Sequence, residues 1–368
     1  MLWYSITIWK INIMTKVLVG LSGGVDSATA AAILKKQGYD VIGVTMSIWG
    51  DKKATSHKGT HGACLGPDEK DDIEAATKIA KYLDIPYYVI DCSKEYDDIV
   101  LKYFKDEYLS GRTPNPCIRC NSLIKFGVLP FVAKEKGIEF DKFATGHYAR
   151  IIEQNGIFHL SCAKDKTKDQ SYFLYKLTQE QLKNILMPLG DYTKVEVREL
   201  AKGFGLEVSD KPDSQDFYEG DYNELLGVSE KEGNIVDTNG KILGKHKGIW
   251  NYTIGQRKGL GIASREPIYV IKLEKDTNTV VVGNIDSTFK KFLTAIDINY
   301  PSGIKIKNGN YYAKIRSNQK TQECIVEVFD DKINVEFNEY QKSIAKGQSV
   351  VIYDNDTVAA GGIIDEVK

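Results

Sequence analysis

From Lys16 to about Lys211, apolar residues fall into two alternating patterns. Lys16-Val-Leu-Val-Gly20 and Val41-Ile-Gly-Val-Thr-Met-Ser-Ile-Trp49 are nearly unbroken apolar runs of strand length, and Tyr87-Tyr-Val-Ile90 and Lys142-Phe-Ala-Thr145 are shorter ones. Between them, 28–38 reads as helix, 71–83 repeats Ile73, Ala76, Ala80 and Leu83 at helical spacing, and 97–108 reads as a helix ending at Gly111. Strands without a polar face, separated by helices, predict a doubly wound α/β fold whose parallel sheet is covered on both sides. Ligands of such a sheet sit at the carboxyl ends of its strands, where residues 22–27, Met46 and Gly146-His147 would converge.

After about Asp213 the pattern changes. From Lys247 onward short β-rich runs separated by turn residues dominate, as in Ile268-Tyr-Val-Ile-Lys-Leu273, Asn278-Thr-Val-Val-Val282, 310–316, 324–329 and 349–353, and they predict a small antiparallel β-barrel. The expected division is a catalytic α/β domain over 14–212, a central linking domain over 213–285 and a C-terminal β-barrel over 286–368. Residues 1–13 are apolar but lack a basic start and a small-residue cleavage site, so they read as a disordered extension, with Met14 as an alternative start. The polar stretch 49–66 has the length of a functional or mobile loop.

At 368 residues, two or three units are expected, and 42% hydrophobic with 27% charged residues is a soluble globular composition. A net charge of −1 excludes a wholesale polyanion binder and leaves room for a local basic face. Six cysteines are too sparse for a disulfide scaffold, which points to reduced thiols and the cytoplasm. No apolar run reaches the roughly twenty residues that span a membrane, so no membrane partner is expected.

Two segments carry candidate chemistry. Ser22-Gly-Gly-Val-Asp-Ser27 lies between a strand and a helix: its glycines allow a sharp turn, and the first N–H groups of the new helix point at whatever anion sits there. No Lys-Ser/Thr pair closes the run, so it is not a Walker A loop. The plain alternative is a Gly-Gly turn with a Ser or Asp cap. In the second segment, Thr113-Pro-Asn-Pro-Cys-Ile-Arg-Cys-Asn121, two prolines oppose helix and predict an extended stretch that presents Cys117 and Cys120 at the start of a helix from Asn121. A helix N-terminus, Arg119 and Lys125 all favour thiolate there. By itself a Cys-x-x-Cys pair divides among half a zinc site, a redox pair and chance, and the lack of a second pair disfavours zinc. Considered alone, His147 reads as a packed or capping histidine, Asp169 as a helix cap, and Cys92, Cys162 and Cys324 as buried apolar residues.

The loop resembles the pyrophosphate-binding loop of the N-type ATP pyrophosphatases. Together with Gly111-Arg-Thr-Pro-Asn-Pro, Cys120-Asn, Ile124-Lys-Phe-Gly, 144–150, Lys168-Asp-Gln-Ser-Tyr-Phe-Leu-Tyr175 and 252–261, it identifies the chain as similar to the bacterial tRNA-specific 2-thiouridylases, from about Met14 to the C-terminus. The resemblance implies sulfur transfer to C2 of the wobble uridine: ATP with Mg2+ adenylates the C2 oxygen, and sulfur carried on cysteine attacks C2 and expels AMP. By match, Gly20, Leu21, Ser22, Gly23, Gly24, Val25, Asp26, Ser27, Met46 and Gly146 hold ATP, Cys120 is the nucleophile, and Asn115, Pro116 and Cys117 lie against the target base. His147, Lys168, Asp169, Gln170, Arg316, Ser317 and Gln348 match tRNA-contacting positions. The implied partners are the anticodon stem-loop of tRNA and a sulfur donor, either a cysteine desulfurase or a sulfur relay protein.

The chain also departs from that pattern. Cys117 stands where the family has Asp, Ser317 where it has Tyr, and Tyr218, in Lys211-Pro-Asp-Ser-Gln-Asp-Phe-Tyr218, where a second catalytic cysteine carries the persulfide. A phenol cannot carry sulfane sulfur. Two replacements are open: Cys117 and Cys120 acting as a persulfide-and-resolving pair, or Cys64, Cys117 and Cys120 holding a 4Fe-4S cluster. The competing functional readings are an ATP-dependent amide or nitrogen-transfer ligase with the same loop, and a tRNA-binding protein that has lost catalysis.

Overall fold

A computed structural model of the chain describes residues 14–50, 65–66, 69–207, 218 and 222–368. Its first unit is a five-stranded parallel sheet. Strands β1 (Lys16–Gly20), β2 (Asp40–Ser47), β3 (Tyr87–Asp91), β4 (Lys142–Ala144) and, later in the chain, β7 (Ile185–Leu186) lie in the order β3-β2-β1-β4-β7. Side chains alternate across such a sheet. Val17 and Val19 of β1 pack with Ala31 and Leu34 of the helix Val25–Lys36 and Ala76 and Ala80 of the helix Glu69–Tyr82, whereas Leu18 joins Ile124, Leu129 and Phe143 on the other face. Both faces are covered, as the unbroken apolar strands require.

Between β4 and β7 the chain forms a hairpin that the apolar pattern does not announce. Strands β5 (Ala149–Gln154) and β6 (Ile157–Cys162) turn at Asn155-Gly156, both with positive φ, which is the backbone a tight two-residue turn demands. Ser161 of this hairpin pairs with Thr357, so the hairpin extends the sheet of the C-terminal barrel.

The central sheet has the order β10-β11-β8-β9, from β8 (Gly233–Val236), β9 (Ile242–His246), β10 (Tyr269–Glu274) and β11 (Thr279–Gly283). The runs 268–273 and 278–282 therefore belong here and not to the barrel, because Val270, Val280 and Val282 share a core with Ile235 and Trp250. The barrel comprises β12 (Phe289–Asn299), β13 (Gly309–Lys314), β14 (Gln322–Val328), β15 (Lys332–Lys342), β16 (Ser349–Asp354) and β17 (Thr357–Val367). Its order is β12-β15-β14-β13-β16-β17, and antiparallel pairing of β12 with β17 closes it, leaving no edge between them.

The barrel is seated against the α/β unit through aromatic side chains. Tyr172 donates its hydroxyl to the Ser349 carbonyl at 2.8 Å, and the Tyr175 ring fills the space beside Gly361, where an added Cβ would lie 2.3 Å from it. Among the described residues no helix is long and apolar enough to cross a membrane.

Candidate active site

The 20–27 loop stands at the carboxyl ends of β1, β2 and β4, as the strand pattern predicts. Leu21 is fixed by its N–H to the Val44 carbonyl at 2.8 Å and by Thr45 Oγ1 donating to its own carbonyl at 2.7 Å. Ser22 N donates to Ser27 Oγ at 3.1 Å, and Ser27 Oγ donates to the Gly24 carbonyl at 3.2 Å, so the two serines close the turn on itself. Gly23 has φ +73, and a Cβ there would lie 2.7 Å from the Asp72 carbonyl oxygen. Only glycine fits. The helix opens at Val25 with Gly24 as its cap and no side-chain capping bond, so the Ser or Asp cap of the plain reading does not form and the first-turn N–H groups keep their anion-binding character. Gly146 packs directly on the loop: its Cβ would lie 2.8 Å from the Asp26 carbonyl carbon and from Ser27 N. Met46 is half-buried at the end of β2.

Residues not singled out as site residues from the sequence complete this end of the sheet. Lys194 chelates Asp26, its Nζ lying 2.8 and 2.9 Å from the two carboxylate oxygens, and the Tyr148 hydroxyl donates to the same carboxylate at 2.8 Å. Lys194 is only 8% exposed and opens the helix Lys194–Gly203, whose Thr193 and Glu196 form a capping box. A cation at a helix N-terminus opposes the helix dipole, and the ion pair with Asp26 compensates for that placement. The capping box is readable in the sequence; the pairing of Lys194 across the fold is not. Glu69 likewise accepts from Ser47 Oγ, Ile48 N and Trp49 N at 2.7, 2.6 and 2.9 Å, and so terminates β2 beside Met46.

The thiol segment departs from expectation. Pro116 does not hold it extended: it is the first residue of a helix, and Asn115 caps that helix by accepting from Ile118 N at 3.4 Å. Proline suits that position because its missing N–H would have no helical partner and its φ is already helical. Both cysteines therefore lie inside the helix, three apart and on neighbouring turns, instead of before it. Cys117 is half-buried, Cys120 is 8% exposed, and neither is in a disulfide. From Cys120 to Val128 the helix widens into a π-helix before resuming as the α-helix Leu129–Glu135. The Arg119 guanidinium lies 4.4 Å from the Tyr103 ring centre.

The other described thiols are buried, Cys162 and Cys324 on strands and Cys92 just after β3. Burial pushes Cys92 and Cys324 up to about 12 and raises Cys162 as well. Cys64 lies outside the described residues, and among those described no three His, Cys, Asp or Glu side chains form a metal-binding group. Tyr218 is buried in the same hydrophobic cluster as Cys120.

His147 follows Gly146 and packs against the thiol helix. Its Nδ1 is 2.7 Å from Thr145 Oγ1, and its ring centre is 5.6 Å from that of Phe126 on the thiol helix. Burial, and then the Lys125 charge, push it down to about 3, so the imidazole is neutral. Of the 168–170 trio, Asp169 is a buried structural group: its carboxylate, 1% exposed, accepts from Ala163 N, Ser171 N and Ser171 Oγ and lies 3.4 Å from Lys314 Nζ. It does not cap the following short helix, which begins after Gln170. Gln170 accepts from Tyr148 N, and Lys168 is partly exposed. On the barrel, Arg316 is exposed and donates to the Ser343 carbonyl at 3.0 Å, and Ser317 is half-buried. Gln348 faces the thiol segment, donating to the Thr113 and Pro114 carbonyls at 3.2 and 3.1 Å.

Comparison with known proteins matches this architecture along almost the whole chain. Residues 15–218 match the family described as tRNA methyl transferase HUP domain, 225–284 the tRNA methyl transferase PRC-barrel domain, and 290–364 the aminomethyltransferase beta-barrel domain. The tRNA-specific 2-thiouridylase MnmA of Endomicrobium trichonymphae is 51% identical over 355 residues, covering 95% of this chain and 98% of that protein. Proteins of the same name from Clostridium perfringens and Acetivibrio thermocellus are each 46% identical, covering 96% and 95% of this chain and 99% of their own lengths. At 46–51% identity to these proteins over 95–96% of its length, the chain belongs to the tRNA-specific 2-thiouridylase family.

Proposed function

We propose that the protein thiolates C2 of the wobble uridine in tRNA at the expense of ATP, with AMP and pyrophosphate as the other products. The observation that carries this reading is the pairing of an uncapped helix start, beside Ser22-Gly-Gly-Val-Asp-Ser27 and Lys194, with two thiols on neighbouring turns at the start of a helix on the same α/β unit. The loop N–H groups suit the leaving pyrophosphate, and Asp26 is the loop carboxylate able to take the magnesium that accompanies ATP. This arrangement suits sulfur transfer better than the methyl transfer named in the family descriptions, because it couples a phosphate-binding loop to polarizable nucleophiles.

The uridine carbonyl is a poor electrophile until its oxygen is esterified. Attack of that oxygen on the α-phosphorus forms the C2–O–AMP ester and releases pyrophosphate. A persulfide on Cys120 then attacks C2, a C–S bond forms, and the C–O bond breaks with AMP as leaving group. The Cys117 thiolate cleaves the S–S bond, leaving sulfur on C2 and closing a Cys117–Cys120 disulfide. An external thiol reductant reopens it, and the sulfur donor reloads Cys120. Tyr218 cannot take part in this relay. Two thiols three residues apart on one helix suffice for the pair, whereas a cluster needs Cys64 as a third ligand, and Cys64 lies outside the described residues.

Separation of the nucleotide products tests the reading. AMP and pyrophosphate should form in a tRNA-dependent manner and in equal amounts with thiolated uridine. ADP as the tRNA-stimulated product overturns it, and amide or nitrogen transfer without thionucleoside would favour a ligase.

A further inference from the structure

The segment that leads into the thiol helix is held by the barrel. Thr113 N donates to the Lys346 carbonyl at 2.8 Å, and the single side-chain amide of Gln348 donates to two consecutive carbonyls, those of Thr113 and Pro114. Thr113 and Pro114 are buried, and a buried carbonyl needs a donor. Beneath them the Arg112 guanidinium joins both sides: Nε to Glu107 at 2.8 Å, one terminal nitrogen to Asp365 on β17 at 2.8 Å and the other to the Ile364 carbonyl at 3.3 Å. Gly347 completes the fit with φ +89, where an added Cβ would lie 3.0 Å from Arg112 Cβ, Glu107 Oε2 and Thr113 N. The next residues are the cap Asn115, then Pro116 and Cys117. Pro114 and Pro116 have fixed φ, so a shift at the Pro114 carbonyl reaches Cys117 with little lost in between.

We infer that Gln348, supported by Arg112 and Gly347, is a positioning residue for the thiols: the barrel turn 343–348 sets where Cys117 and Cys120 stand. Its bearing on sulfur transfer rests on the function proposed above, but the placement of the thiols does not. What binds the barrel then acts on thiol geometry through two hydrogen bonds. A displacement of about 1 Å at reacting groups costs on the order of 10²-fold in rate.

Thiol chemistry in the full-length protein, without tRNA or ATP, tests this. Alkylation of Cys117 and Cys120 by iodoacetamide is followed by peptide mass spectrometry across pH. Gln348→Met removes the donor at constant length, Gln348→Glu places an acceptor against two carbonyls, and Gln348→Lys restores a donor. We expect Met and Glu to shift the pH midpoint of alkylation and to speed Cys120 modification, Lys to return both toward the parent values, and the single-turnover rate constant of thiolation to follow the same order. Gly347→Ala, which pushes on the same segment from the barrel side, should reproduce the shift and decides the matter if the Gln348 variants do not fold. Unchanged alkylation profiles in folded Gln348→Met and Gly347→Ala overturn the inference. So does weaker tRNA binding with unchanged alkylation, which would make Gln348 a contact to RNA alone. Absent thiolation in the parent protein would count against the proposed function, and alkylation would still decide this one.

Discussion

Lys194 and Asp26, 168 residues apart in the chain, form the one ion pair among the described residues that sits inside the nucleotide-type loop. The pair resolves a conflict in the loop itself, since a carboxylate at a helix N-terminus occupies the field that would attract phosphate. With Lys194 on Asp26 the charge is balanced before nucleotide arrives, and an ammonium stands ready for an anion that Walker A proteins meet with a lysine in the loop.

Replacing Lys194 by Met should lower tRNA-dependent pyrophosphate release by about 10²-fold, the scale of a lost transition-state charge contact. It should also lower the melting temperature, because removing one member of a largely buried pair leaves the other uncompensated. In the Asp26→Asn, Lys194→Met double variant the stability should recover and pyrophosphate release should not. Recovery of both would make the pair purely structural.

Gly146→Ala places a methyl group 2.8 Å from the backbone of Asp26 and Ser27. The loop must move, so pyrophosphate release should be lost while gel-shift affinity for tRNA is retained. A loss of both would mean that the substitution disturbs the fold and not the loop.

With the relay running through the helical pair, Cys117→Ser and Cys120→Ser should each abolish thionucleoside formation from a persulfide donor, and Cys64→Ser should be nearly silent in metal-free protein. Iron and acid-labile sulfide in anaerobically prepared protein, both lost in Cys64→Ser together with thiolation, would assign the chemistry to a cluster.

His147 makes acid stability a sequence-specific test. Its folded-state value of about 3 lies below the ordinary histidine value of 6.5, so between them the unfolded chain binds a proton that the folded protein refuses. Its contribution is present above the ordinary value and is lost as pH falls toward the folded one. The urea midpoint of His147→Gln should therefore fall less than that of the parent between about pH 7 and about pH 4. Equal slopes would refute an imidazole held neutral in the folded protein.

Arg257 and Lys258 of the 252–261 turn and the exposed Arg316 are, with Lys168, the cations proposed to meet tRNA phosphates despite the near-neutral chain. Each single Gln substitution that removes a phosphate contact should flatten the salt dependence of tRNA affinity by about one counterion. Unchanged slopes in all four would place the RNA elsewhere.

Local rules made much of this protein legible from its residues. Apolar strands without a polar face required a sheet covered on both sides, the glycines of the 22–27 run allowed its sharp turn, and Cys92, Cys162 and Cys324 read as buried apolar residues, which they are. The same local rules misjudged Pro116, because a proline that forbids the interior of a helix is also well suited to begin one, and only the Asn115 cap distinguishes the two positions. They grouped the strand runs of 268–282 with those of the barrel, although the expected boundary at 285 already set them apart, because strand patterns do not name their sheet. What chain folding alone decided are the contacts between distant positions: Lys194 on Asp26, Glu69 at the end of β2, the β5–β6 hairpin against β17, and Gln348 on the carbonyls before the thiols. Hydrophobic period and turn chemistry act over a few residues and are written in order along the chain. A lysine's partner across 168 residues is set by how the packed layers bring their ends together, which no local pattern encodes.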